Sequence, residues 1–182
     1  MVLPANLPAP VDDGAAAHLK GSTPPDIALS ATDDRQLSLR RLPARRTVVY
    51  AYPRTGRPGE PSLVDDWDLI PGARGCTPET CGFRDHHAEL EAAGAEVLGL
   101  STQTTDYQRE LVDRLHLPFP ILSDVELKLT RAWQLPSFEV AGQTLLRRFT
   151  LLIRDGEVEH VWYPVFPPDR HAEDVLTFLQ NS

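Results

Sequence analysis

The residues of this 182-residue chain best suited to chemistry are its only two cysteines, Cys76 and Cys81, in Gly75-Cys76-Thr77-Pro78-Glu79-Thr80-Cys81-Gly82-Phe83-Arg84-Asp85. Cys76 sits where a glycine-rich approach meets the opening of a predicted helix, and Cys81 lies about one turn inside it. A helix N-terminus carries partial positive charge and free N–H groups, which favour a thiolate over a thiol. A thiolate is a nucleophile, and a second thiol within reach can trap whatever the first becomes. The pair points to redox chemistry.

The spacing adds a geometric demand. Residues five apart in an intact helix are separated by roughly 7.5 Å of rise and point about 140° apart, which places their Cα atoms about 8.7 Å from each other. A disulfide needs Cα atoms closer than about 7 Å. The two sulfurs can therefore bond only if the first helical turn unwinds, which suits a catalytic cycle better than a structural cross-link.

Composition narrows the setting. The length fits a single domain, and 41% hydrophobic with 24% charged residues is ordinary for a globular chain. A net charge of -8 disfavours nucleic acid or an anionic membrane as partner. No apolar run approaches the roughly 18 residues of a membrane span. The opening Met1-Val2-Leu3-Pro4 has no basic region, so no secretory signal is expected. A cytoplasmic address follows as the default expectation, and there disulfides are mostly transient and catalytic. C-x4-C without further ligands is not a zinc pattern, so no metal or other cofactor is expected.

The elements that must position the cysteines follow from periodicity. Residues 1–22, rich in Ala, Pro and Gly, read as a mobile or surface-hugging arm; residues 23–182 read as one domain. Asp26–Ser30 and Leu37–Leu39 look like a short hairpin. Thr47–Tyr52 is a buried strand ending at Pro53. The stretch from Arg54 to Gly75 is long, irregular and holds the acidic knot Asp65-Asp66-Trp67-Asp68; such loops are functional or disordered. A helix is predicted over Thr77–Ala93, with Thr77 as its cap and Pro78 at its first position. Then come a strand at Glu96–Leu100, a helix at Thr105–His116, a strand at Phe119–Leu122 and a helix at Val125–Gln134. A hairpin of Thr144–Ile153 with Val158–Tyr163 turns at Asp155-Gly156, and a helix spans Asp169–Leu179. A βαβ unit followed by a ββα unit is the thioredoxin-like α/β arrangement: a central mixed sheet flanked by helices, with an N-terminal hairpin.

On these residues the chain resembles the peroxiredoxins, specifically the Q-type group also called bacterioferritin comigratory proteins. Gly21-Ser22-Thr23-Pro24-Pro25-Asp26 with Leu37-Ser38-Leu39 resembles the family's opening hairpin. Tyr50-Ala51-Tyr52-Pro53-Arg54-Thr55-Gly56-Arg57-Pro58-Gly59 resembles the approach to its active site, and Gly75 to Asp85 is the most specific segment. The resemblance implies a thiol peroxidase acting on hydrogen peroxide and organic hydroperoxides, with thioredoxin or a similar dithiol as reductant. It makes Cys76 peroxidatic, Cys81 resolving within one chain, and Arg148 the arginine beside the attacking sulfur. A monomer is the default expectation. The family pattern Pro-x3-Thr-x2-Cys is interrupted: Ala73 stands three residues before Cys76, and an insertion of about sixteen residues, 60–75, separates the sulfur from Pro53. Pro53 takes the proline's place, with Thr55 and Thr77 as the hydroxyls that remain for substrate.

Arg147 and Arg148 are adjacent in a strand-like run, so only one can face the site. Glu79 suits the first-turn dipole and is a candidate base for Cys81. His86 and His87 diverge by about 100° on a helix and cannot hold a metal together. Trp67 is placed to cap the cleft if the insertion is ordered. The alternative from another class is a redox-responsive binding or chaperone module that uses the cysteine pair as a switch without turnover.

Overall fold

Val48, Tyr50 and Tyr52 alternate with Val49 and Ala51 along the central strand, and each set feeds a different hydrophobic core. A strand buried on both faces reads as a continuous apolar run and needs helices on each side. The computed structural model describes residues 3–182, so the first two residues of the N-terminal arm lie outside the described residues. Its main sheet has seven strands in the order β2-β1-β5-β4-β3-β8-β9. These are β1 (Ala28–Ala31), β2 (Gln36–Ser38), β3 (Arg46–Ala51), β4 (Glu96–Ser101), β5 (Ile121–Ser123), β8 (Phe149–Arg154) and β9 (Glu157–Trp162). The sheet is mixed: β3 runs parallel to β4, and β4 to β5, whereas β8 is antiparallel to β3. This is the thioredoxin-like α/β architecture.

Tyr50, Tyr52 and Leu152 face a core closed by helices α1 (Cys76–Asp85), α2 (His87–Ala92), α3 (Thr105–Leu115) and α5 (His171–Gln180). The opposite core takes in α4 (Lys128–Ala132) together with Ala16 and Leu19 from the N-terminal arm. Leu19 is fully buried, Gly21 N donates to Val158 O at 2.8 Å, and the Tyr163 hydroxyl donates to Asp13 at 2.7 Å, so much of the arm is seated on the domain. Among the described residues no helix is long and apolar enough to cross a membrane.

Three sequence expectations change. The helix expected over Thr77–Ala93 starts at Cys76 and breaks at His86, which leaves the helical basin with φ -97 and ψ 8. Thr77 is not its cap. Gly75 is, at φ 109, where a side chain is strained, and its carbonyl accepts the first helical bond from Glu79 N at 3.0 Å. Pro78 becomes the third helical residue, where its missing N–H is still one of the donors without a partner in the helix.

The run expected as one strand over Thr144–Ile153 is two. β7 (Gln143–Leu146) pairs with β6 (Ser137–Val140) in a separate two-stranded sheet, and Arg147 and Arg148 carry the chain across to β8. The helix expected from Val125 begins at Lys128, because Leu127 adopts a left-handed conformation (φ 58) and the Asp124 carboxylate accepts from Leu129 N and Thr130 N.

The insertion is ordered. A 3-10 turn at Trp67–Leu69 plants Trp67, 7% exposed, against Leu145 and Ala73, with Phe138 and Val140 of the small hairpin packed around them. This satellite core fixes the segment that leads into Cys76.

Gly75 is the hinge of that segment, and a Cβ there would run into the Pro168 ring. Gly75→Ala is expected to destabilise the fold by about 2 kcal/mol, a fall in Tm of roughly 4–8 °C in a thermal melt. Gly94→Ala, at φ 82 in open space, carries only the backbone part of that penalty and is expected to shift Tm less.

Candidate active site

Cys76 is 3% exposed at the first turn of α1, and the Arg148 guanidinium meets it: Nη2 donates to Sγ at 3.2 Å. The same nitrogen lies 3.3 Å from the carbonyls of Gly72, Ala73 and Arg74, so the insertion's last turn wraps one end of the guanidinium. At the other end Nη1 is ion-paired with Glu79 Oε2, and both side chains are essentially inaccessible to solvent. Helix geometry explains the meeting. Cys76 and Glu79 are three residues apart, so they rise from one face of α1 toward the same cation. The Cys76 thiol also reaches Ala73 O at 3.5 Å.

The electrostatics run against the simple helix-dipole expectation. Burial pushes the Cys76 thiol up; the Arg148 guanidinium, then the backbone N–H of Arg54, pull it down; the Glu79 carboxylate pushes it up again. Burial likewise raises the Glu79 carboxyl, to about 7, with Arg148 opposing. One cation thus faces two groups that could both be anions in a water-poor pocket. Such a pair shares its proton, and the two groups titrate together.

Cys76 opens onto a cavity of about 320 Å³ walled by Arg54, Arg57, Pro58, Trp67 and Thr77. Thr77 therefore lies on the cavity and Thr55 lines it too, whereas Pro53 does not: it borders a second, small cleft together with Arg148, Pro71 and Val11. The Thr55 hydroxyl is committed elsewhere, lying 3.2 Å from Gln103 Oε1, which also accepts from Thr55 N at 3.1 Å. Gln103 Nε2 donates back to Thr55 O at 3.1 Å, so one amide side chain clamps both sides of this backbone unit. Nothing in its sequence neighbourhood distinguished Gln103: it lies just past a strand end, and its burial is evident only in the fold.

Of the residues singled out from sequence, Cys76 and Arg148 are in contact, and Arg147 points away, 3.9 Å from Asp13 with its guanidinium near the Phe138 ring. Glu79 turns to Arg148. Cys81 is half-buried, five residues along the same helix, and both thiols are free. His86 pairs with Glu89 and His87 packs on Phe119, and among the described residues no group of three or more His, Cys, Asp or Glu is placed to hold a metal.

The arrangement presents a sulfur, a guanidinium to hold charge beside it, and a cavity leading to the sulfur. Comparison with known proteins agrees with that chemistry. The redoxin family model matches residues 19–176. Chloroplastic peroxiredoxin Q of Gentiana triflora is 30% identical over 184 residues, covering 98% of this chain and 77% of that protein. That of Sedum lineare is 32% identical over 162 residues, covering 89% and 78%. Among solved structures, peroxidoxin BcpB from Mycobacterium tuberculosis superposes with a TM-score of 0.71 at 25% identity, over 90% of this chain and 98% of that one. A Xanthomonas campestris peroxiredoxin Q structure gives 0.68 at 26% identity, over 88% and 95%. This chain therefore belongs to the redoxin family and, within it, to the peroxiredoxin Q group.

Proposed function

We propose that the chain works as a thiol peroxidase in which Cys76 attacks and Cys81 resolves. The Cys76 thiolate attacks one peroxide oxygen. An S–O bond forms as the O–O bond breaks, the sulfur gives up two electrons, and the departing oxygen takes a proton to leave as water or an alcohol. The observation that carries this reading is Arg148 Nη2 at 3.2 Å from Cys76 Sγ, in a buried setting where a guanidinium can hold the thiolate and then the charge moving onto the leaving oxygen. The bacterioferritin comigratory protein of Xanthomonas campestris, 26% identical to this chain, has alkyl peroxide reduction activity, which supports organic hydroperoxides beside hydrogen peroxide.

The Cys81 sulfur, giving up its thiol proton, then attacks the Cys76 sulfenic acid; an S–S bond forms as the S–O bond breaks, and the leaving hydroxide takes a proton to depart as water. Both residues lie in one helix, so at least its first turn must open for the sulfurs to meet. Pairing within one chain needs no second copy, which favours a monomer. A dithiol protein of thioredoxin type, in a reducing compartment such as the cytoplasm, would return the disulfide to two thiols by exchange.

A thioredoxin- and thioredoxin-reductase-coupled assay tests the cycle. Peroxide-dependent consumption of reduced nicotinamide is expected in the wild type and absent in Cys76→Ser. Cys81→Ser is expected to make a sulfenic acid, trapped by dimedone and seen by mass, yet no intramolecular disulfide. Normal thioredoxin-linked turnover in Cys81→Ser would remove it from the resolving role.

Charge sharing at Arg148 yields a second expectation. Glu79→Gln removes an anion that raises the thiol, so the midpoint of pH-dependent Cys76 alkylation should move down; Arg148→Gln should move it up and lower kcat/KM by about 10²–10³-fold. An upward shift in both variants would mean that Glu79 acts by seating Arg148.

The same carboxyl makes stability depend on pH. Its folded value, about 7, lies above the ordinary 4.5, so its stabilising contribution is full below about 4.5 and is lost as pH rises through 7. Denaturant melts between pH 4.5 and 7.5 should show this decline in the wild type and a flatter profile in Glu79→Gln.

A further inference from the structure

The cavity in front of Cys76 has a feature that reduction of hydrogen peroxide does not use. In a chain of net charge -8, its wall carries Arg54, Arg57, Arg74 and Arg114 against a single lining carboxylate, Glu60. Two of the four are already committed: Arg114 is held by Glu110 at 2.7 Å and Arg74 by Asp68 at 3.1 Å. The other two are not. Arg57 approaches Glu60 and Glu110 only at 4.0 Å, beyond hydrogen-bond range, and its Nε is buried without a hydrogen-bond partner. Arg54 makes no side-chain hydrogen bond or ion pair among the described residues; its guanidinium carbon lies 5.4 Å from the centre of the Tyr107 ring. Arg57 lies 4.2 Å from the centre of that same ring.

Two half-buried guanidiniums gathered on one aromatic ring repel each other, and cation–π attraction to the ring face leaves their N–H donors unfilled. A carboxylate accepts from such donors in the fork geometry they offer. The rest of the wall is apolar: Pro58, Pro61, Leu63, Trp67 and Pro78. A volume of about 320 Å³ is more than hydrogen peroxide needs and lies in the range of small-molecule pockets.

We propose that Arg54 and Arg57 form an anion subsite at the entrance to Cys76, which selects organic hydroperoxides whose apolar body carries a carboxylate away from the peroxide group. The inference rests on the peroxidase reading above and adds a substrate class to it. The carboxylate docks on the two guanidiniums, the apolar body lies along Trp67 and the prolines, and the peroxide is delivered to the sulfur. The insertion and the loop before it supply this specificity, since Arg54, Arg57 and Trp67 all lie between Pro53 and Cys76.

The test compares cumene hydroperoxide with its para-carboxylate, and both with hydrogen peroxide. In the wild type kcat/KM for the carboxylate is expected to exceed that for the neutral compound by about tenfold or more, as two charge-assisted contacts allow. The ratio should shrink at about 0.5 M salt. Arg57→Gln and Arg54→Gln should each bring it toward one, and Arg57→Lys should keep part of it. Inhibition by benzoate but not by benzyl alcohol gives the same answer in the unmodified protein if a variant fails to fold. A wild-type ratio near one, with both compounds turned over, would overturn the subsite and leave the peroxidase intact. Failure to turn over any of the three peroxides would instead overturn the reading on which it rests.

Discussion

A single buried cation organises this site. Arg148 is 3% exposed and has lost nearly all its water, so its charge must be met by protein groups: Glu79 on one side, Cys76 on the other, and three carbonyls of residues 72–74. A buried guanidinium with its partners removed is among the costliest features a fold can contain, on the order of 3–5 kcal/mol for a broken buried pair. The arrangement of α1, of the loop that precedes it and of the crossing between β7 and β8 is therefore mutually constrained. A shift in any one leaves a charge unmatched.

The supports of that constraint are mostly polar and local. Gly75 lets the chain turn from the carbonyl cradle into the helix. The satellite core around Trp67 holds the cradle against the small β6–β7 hairpin, which in turn delivers Arg148 from its end. On the facing wall, Gln103 fixes the Thr55 backbone on both sides, and the neighbouring Arg54 backbone helps to lower the Cys76 thiol. The insertion therefore serves the site directly, as scaffold for the arginine's ligands and as wall of the cavity.

How much of this was legible in the sequence depended on the range of the interaction concerned. Cys76 and Cys81 declared themselves because helix geometry is local, and five-residue spacing has a fixed consequence. The sheet strands were legible because Thr47–Tyr52 and Glu96–Leu100 are continuous apolar runs. The break at Arg147-Arg148 was hidden because a chain that changes sheets keeps its extended residues on both sides of the crossing. Strand β6 was missed because its turn uses Ala141 at φ 49 before Gly142, and alanine does not advertise a left-handed residue. Glu79 could be placed in the first turn, but its burial against a residue 69 positions away could not. The helix-dipole argument for Cys76 was incomplete, because the burial that raises the thiol and the distant Arg148 that lowers it are not written in a linear pattern.

The same geometry bears on the opening of α1 that the proposed cycle requires. α1 is anchored unequally. Its far half is held by Phe83, fully buried, stacked on Tyr50 at 4.5 Å and set edge-on to His171 at 5.8 Å. Its first turn is held by a polar contact instead, Glu79 to Arg148, and the Tyr50 hydroxyl meets Thr80 just past that turn at 3.3 Å. In the proposed cycle, oxidation turns the reactive thiolate into a neutral sulfenic acid, and Arg148 loses its charge-assisted contact with the sulfur while keeping Glu79. Electrostatic support is thereby withdrawn from the turn that must unwind, while Phe83, two residues beyond Cys81, keeps the resolving thiol on a fixed segment. The apolar anchor has no comparable dependence on the charge of the sulfur. In that cycle motion is directed to Cys76 rather than Cys81, and the proposed chemical step itself loosens the contact that had to be tight for it to occur.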